Sequence, residues 1–149
     1  MKKFFLLFTL LSAVTFSSCD LEDDPIFISL DYTGMMSVIP LDGGQSYTWE
    51  NVHFSLLEEG NHTFTLWMYN THFVPQMPPL TMAVPDISFA NSAVMTSLLG
   101  NNIVPFVGGT PYDRYLITEL SGTVANSGLN IAFNCMGFRV TFVGMQNMN

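Results

Sequence analysis

Residues 28–149 read as an all-β domain: an antiparallel up-and-down β-barrel of about eight strands, with a β-sandwich as the alternative. Three observations predict this. Apolar residues recur with period two through most of the chain, as in Leu30, Tyr32, Gly34, Met36 and Val38. Short polar turn sequences such as Asp42-Gly43-Gly44 and Asn126-Ser127-Gly128 separate the apolar runs at even spacing. No long segment carries the apolar stripe of an amphipathic helix. Meandering strands of this kind build barrels or sandwiches. Eight of them enclose an interior just wide enough for side chains or one small ligand.

The strands follow in order. After the first, Tyr47 and Trp49 share a phase that Val52, Phe54 and Leu56 do not, so a bulge is expected near Glu50-Asn51. Glu58-Glu59-Gly60-Asn61 turns the chain into Phe64, Leu66 and Met68. These alternate with Thr65, Trp67 and Tyr69, which gives the strand two apolar faces and predicts that something covers both. Pro75, Pro78 and Pro79 impose a loop. Leu80, Met82 and Val84 resume the alternation, and Ile87 and Phe89 continue it in shifted phase after Pro85.

Residues 90–113 are rich in Asn, Ser, Gly and Pro around Val94–Leu99 and Ile103–Val107, and are expected to form a short helix or an irregular lid. Tyr115 and Ile117 precede a turn expected at Ser121-Gly122, before Val124. Leu129, Ile131, Phe133 and Cys135 share one phase of the next strand. Gly137 then reverses the chain into Phe138, Val140 and Phe142.

Ahead of the domain, Lys2 and Lys3 precede an apolar run from Phe4 to Phe16 and the small pair Ser17-Ser18. This is the pattern of a secretory signal over residues 1–18. The run has thirteen residues, short of the ~20 that span a bilayer. An ordinary cleaved signal leaves the cysteine at position 19 unexplained. The segment resembles a bacterial lipoprotein signal, although Phe16 stands where leucine is commonest. That resemblance implies acylation of Cys19, with palmitate among the acyl chains, and attachment to a bilayer through them.

Asp20, Glu22, Asp23 and Asp24 follow directly. Loose signals with such an acidic cluster resemble those of Bacteroidota lipoproteins, in which the cluster can direct export to the outer-membrane surface. On physical grounds the same acids make residues 19–27 a solvated tether, because like charges repel and resist packing.

Composition excludes several functions. Residues 19–149 keep only Arg114 and Arg139 against all twelve acids, a formal charge of −10. Nucleic-acid binding needs a basic footprint, and none exists. There is no polybasic surface for anionic lipids either, so membrane attachment rests on the acyl chains. Without a lysine after Lys3, lysine-dependent catalysis and P-loop chemistry are excluded. Once Cys19 is acylated, Cys135 has no disulfide partner within the chain. Its phase with Leu129, Ile131 and Phe133 favours a buried thiol over a reactive one.

Candidate chemistry is sparse. His62 and His72 flank one strand and lie roughly 33 Å apart if extended at ~3.3 Å per residue, while His53 alternates away from Val52 and Phe54. No metal site or other cofactor is expected from them. No Gly-x-Ser-x-Gly elbow occurs. Glu58-Glu59 is a solvated turn, and Asp113, Arg114 and Glu119 suit a surface ion pair. No catalytic residue is expected.

The apolar lining remains. Residues 19–149 hold nine methionines and sixteen aromatics. By alternation, Tyr32, Met36, Phe54, Phe64, Met68, Met82 and Phe133 would wall any interior cavity, or simply fill the barrel. Trp49, Trp67 and Tyr69 would sit at its mouth or on an exposed binding face.

The stretches "DYTGMMSVI", "FTLWMYNTHF", "ELSGTVANSGLNIAF" and "FRVTFVG" resemble the calycin-like β-barrel lipoproteins of Bacteroidota, over about Ile28 to Gly144. The resemblance implies a lipocalin-shaped barrel at the cell surface and brings no catalytic residue. Two functions are therefore expected to compete. One is a non-enzymatic envelope binding module for a small apolar molecule or a glycan fragment. The other is an interaction protein with a filled core that contacts another envelope protein.

Overall fold

The computed structural model describes residues 29–147; the signal segment, Cys19 and the cluster Asp20, Glu22, Asp23 and Asp24 lie outside the described residues. Ten strands form among the described residues: β1 Ser29–Pro40, β2 Tyr47–Glu59, β3 Thr63–Thr71, β4 Leu80–Asn91, β5 Thr96–Gly100, β6 Phe106–Val107, β7 Thr110–Pro111, β8 Thr118–Ala125, β9 Gly128–Cys135 and β10 Phe138–Gln146. Eight of them close an antiparallel up-and-down barrel. The chain meanders from β1 to β5 and from β8 to β10, β5 pairs with β8, and β10 returns to β1 from Phe138↔Pro40 to Gln146↔Tyr32. That last ladder rules out a sandwich. The short β6–β7 hairpin hangs on the outer part of β4 through Met82↔Val107 and Ala83↔Phe106.

Local chemistry accounts for the turns. The β8–β9 and β9–β10 connections are two-residue turns with both central residues at positive φ, Asn126-Ser127 (51°, 65°) and Met136-Gly137 (55°, 81°). This is the turn whose twist matches a right-handed hairpin. The expected bulge in β2 is present. Its register against β1 slips between Gly34 and Met36, and Asn51 takes a left-handed φ of 56°. Trp49, Val52, Phe54 and Leu56 therefore all reach the core. A second slip, between Phe64 and Leu66 on β3, lets β4 keep Val84 and Ile87 both inside, with Asp86 at φ 61°.

Two expectations fail and a third holds in part. No turn forms at Ser121-Gly122, because β8 runs through it with Gly122 opposite Ile131. A Cβ on Gly122 would stand 2.6 Å from the Asn130 carbonyl oxygen, so the glycine serves close strand approach rather than reversal. Residues 90–113 form β5 and the β6–β7 hairpin instead of a helix or irregular lid; the nearest helical piece is one 3-10 turn at Asp113–Tyr115. The cover expected over the outer face of β3 is partial: Thr65 is buried and Trp67 half-buried, whereas Tyr69 is 40% exposed.

One contiguous cluster fills the barrel and includes all seven residues proposed as its wall. Phe54 and Phe142 stack at 4.1 Å near its middle. At the end where β1 begins, Phe64 meets Phe89 at 4.7 Å. At the other end the proline loop after β3 folds inward. Phe73 is fully buried with its ring edge-on to Phe133 at 6.4 Å, and Met77 is buried beside it. Ile103 and Ile117, joined by an isolated bridge, are buried too.

Cys135 is buried on the β9 core face, and its Sγ lies 3.4 Å from the Tyr115 carbonyl. Desolvation pushes the thiol up to about 12. A folded-state value above the unfolded one means that the unfolded chain loses its proton first. The native thiol should therefore not react with Ellman's reagent at pH 8, should react fully in urea, and stability should decline as pH rises from about 9 towards 12. Rapid native labelling would contradict this.

Candidate functional site: a cleft where two strands part

The β2–β3 ladder runs from Glu59↔Thr63 to His53↔Tyr69 and stops there. Beyond it, Asn51 and Asn70 both adopt left-handed backbone (φ 56° and 45°), turning the strands from one another. Asparagine tolerates this conformation better than most residues. A cleft of about 460 Å³ opens at this divergence, within the range of small-ligand sites. Inward-facing Tyr32, Met36 and Phe54 line it together with Asp31, His53 and Tyr69 of the outer face.

The rim is held by hydrogen bonds. Trp49 stacks obliquely on His72 at 4.3 Å, and its Nε1 donates to the Phe73 carbonyl at 3.3 Å. His72 Nδ1 donates to the Met77 carbonyl at 3.2 Å. The loop that plugs the barrel end thus also fixes one side of the cleft. On the opposite side, Ser55 Oγ donates to the Asp31 carboxylate at 2.5 Å, and Thr33 Oγ1 donates to Asn147 Oδ1 at 2.8 Å while lying 3.1 Å from His53 Nδ1. Tyr69 continues outward to Trp67, with the two rings 6.3 Å apart and within 11° of parallel.

One polar group in this region has no partner. The Tyr32 hydroxyl is buried and makes no hydrogen bond among the described residues, and burial pushes its ionisation upward. An unsatisfied buried hydroxyl costs about 1–3 kcal/mol. Tyr32→Phe should therefore leave the fold intact and raise stability by about 1 kcal/mol in urea unfolding. A loss of stability on this substitution would show that the hydroxyl is already satisfied within the fold.

Of the ten residues singled out by sequence, Tyr32, Met36, Phe54, Trp49 and Tyr69 meet at the cleft. Trp67 extends it along β3. Phe64, Met68, Met82 and Phe133 are buried in the core and are not among its lining. Sequence reasoning missed Asp31, Asn51, Asn70, His72 and Asn147. The phase slip at Glu50-Asn51 was the available signal, because a bulge beside an unpaired strand end opens a sheet.

Among the described residues, no group of three or more His, Cys, Asp or Glu side chains is placed to hold a metal. A second groove on the outer wall, lined by Asp86, Ser88, Glu119 and Arg139, crosses β4, β5 and β8. Arg139 is engaged there with the Glu119 carbonyl at 3.0 Å and Asn134 Oδ1 at 3.2 Å. Set against known proteins, the chain matches no family model, no curated protein and no solved structure.

Proposed function

We propose that this chain is a lipid-anchored, non-enzymatic binding module of the cell envelope, exposed on the outer membrane, and that the cleft between β2 and β3 is where it binds. The observation that carries the binding reading is the unpartnered Tyr32 hydroxyl on a residue lining a cleft of ligand size. Buried polar groups normally find a partner, and a bound molecule would supply one. The filled barrel interior supports a site in the wall rather than along the axis. Cys19 and the acidic cluster support the anchor, and the closed eight-stranded meander supports kinship with the calycin-like lipoproteins.

Two experiments test this reading. Cys19→Ala should move the protein from the membrane to the soluble envelope fraction, and intact mass should show the wild-type chain acylated at residue 19. A ligand in an envelope extract should raise the unfolding temperature, by about 2.7 kcal/mol of stabilisation at a hundredfold excess over Kd. Unchanged fractionation would overturn the anchor, and no shift in any extract fraction would overturn the binding reading.

A second reading rests on the outer face of the neighbouring β1–β10 ladder. Met35 and Val143 are cross-strand partners on the outside of β1 and β10, with Met145 beside them, and the three are 49%, 54% and 61% exposed. An apolar stripe of this kind suits contact with another envelope protein. Met35→Asp with Val143→Asp should abolish such a complex without unfolding the barrel.

A further inference from the structure

We infer that the cleft takes an uncharged saccharide, stacked on Tyr69 and continuing along β3 towards Trp67; this rests on the cleft being a binding site. Charge narrows the class first. The lining contains the carboxylates of Asp31 and Glu50 and neither lysine nor arginine. His72 Nδ1 is spent on the Met77 carbonyl. Fatty acids, phosphorylated molecules and acidic sugars would bring an anion against two carboxylates with no lysine or arginine to offset them, a costly juxtaposition.

Polarity narrows it further. The lining surface is mostly apolar, and the polar side chains exposed on it include Glu50, Asn51 and Asn70. A sterol or an acyl chain would strip water from these groups and return no hydrogen bonds. A polyhydroxylated ring replaces that water with its own donors and acceptors.

The remaining lining explains how such a ring would be held. A pyranose has an apolar face of C–H groups, which is attracted to the negative face of an aromatic ring. Tyr69 is exposed for that contact. Trp67, half-buried and 6.3 Å away with its plane within 11° of parallel, offers the next surface for a longer oligomer. Tyr32, whose buried hydroxyl has no partner among the described residues, lines the same cleft.

The test uses the full-length lipoprotein in a detergent without a sugar headgroup, on an array of neutral and acidic glycans, with oleate followed by calorimetry. Binding should be confined to neutral glycans. Tyr69→Ala and Trp67→Ala should each weaken it at least tenfold, and Tyr69→Phe should retain it. Thermal unfolding of each variant distinguishes lost contact from lost fold. Binding of acidic glycans alone would overturn the uncharged class, and binding of oleate alone the saccharide class, while either leaves the cleft a binding site. If neutral glycans, acidic glycans and oleate all fail and envelope extracts give no thermal shift, both readings fall.

Discussion

Gly34→Ala is expected to cost more than about 4 kcal/mol, a rare size for one methyl group and a large part of the 5–15 kcal/mol that holds a typical domain. Gly34 lies opposite Gly144 in the ladder that closes the barrel. A Cβ there would stand 2.0 Å from the Val143 carbonyl oxygen and 2.4 Å from the Gly144 Cα. Both are backbone atoms, so no side chain can swing aside. Relief requires β1 and β10 to separate, and those strands make the final closure. Gly43→Ala provides the contrast: its Cβ meets nothing within 4 Å, and only its positive φ of 88° is strained, which predicts a loss of about 1 kcal/mol. Equal losses for the two variants in urea unfolding would refute this account of closure.

Phe142→Ala should cost about 3–5 kcal/mol. The ring is fully buried and stacks on Phe54 at 4.1 Å with planes 15° apart. It also lies over Gly144, where an added Cβ would come within 2.5 Å of the ring edge. One aromatic ring thus fills the space that glycine leaves on its own strand. Because Phe54 lines the cleft, the substitution should also loosen the cleft floor and weaken ligand binding. A loss below about 1 kcal/mol would mean that the core collapses around the gap.

Much of this fold is legible in the sequence because a barrel wall has one buried face and strict period two. Tyr32, Met36, Phe54, Phe64, Met68, Met82 and Phe133 all fall on that face and are buried. Even the irregularity at Glu50-Asn51 shows as a slip in phase. The plug does not. Phe73, Met77, Ile103 and Ile117 belong to non-repeating segments, where burial depends on how a loop folds back and alternation gives no sign of it. Ser121-Gly122 misleads for a related reason: a glycine needed for close strand packing has the composition of a turn. The cleft was half legible. Its aromatic members follow from alternation, whereas Asp31, Asn70 and Asn147 join them only through a register that pairs residues distant in sequence.

The most direct test of the binding claim is a native mass spectrum of the full-length protein extracted from its own envelope. The account predicts a discrete added mass, beyond that of the acyl chains, which disappears on denaturation and is absent from Tyr69→Ala. A spectrum showing only the acylated chain, unchanged after incubation with envelope lipid and glycan extracts, would contradict it.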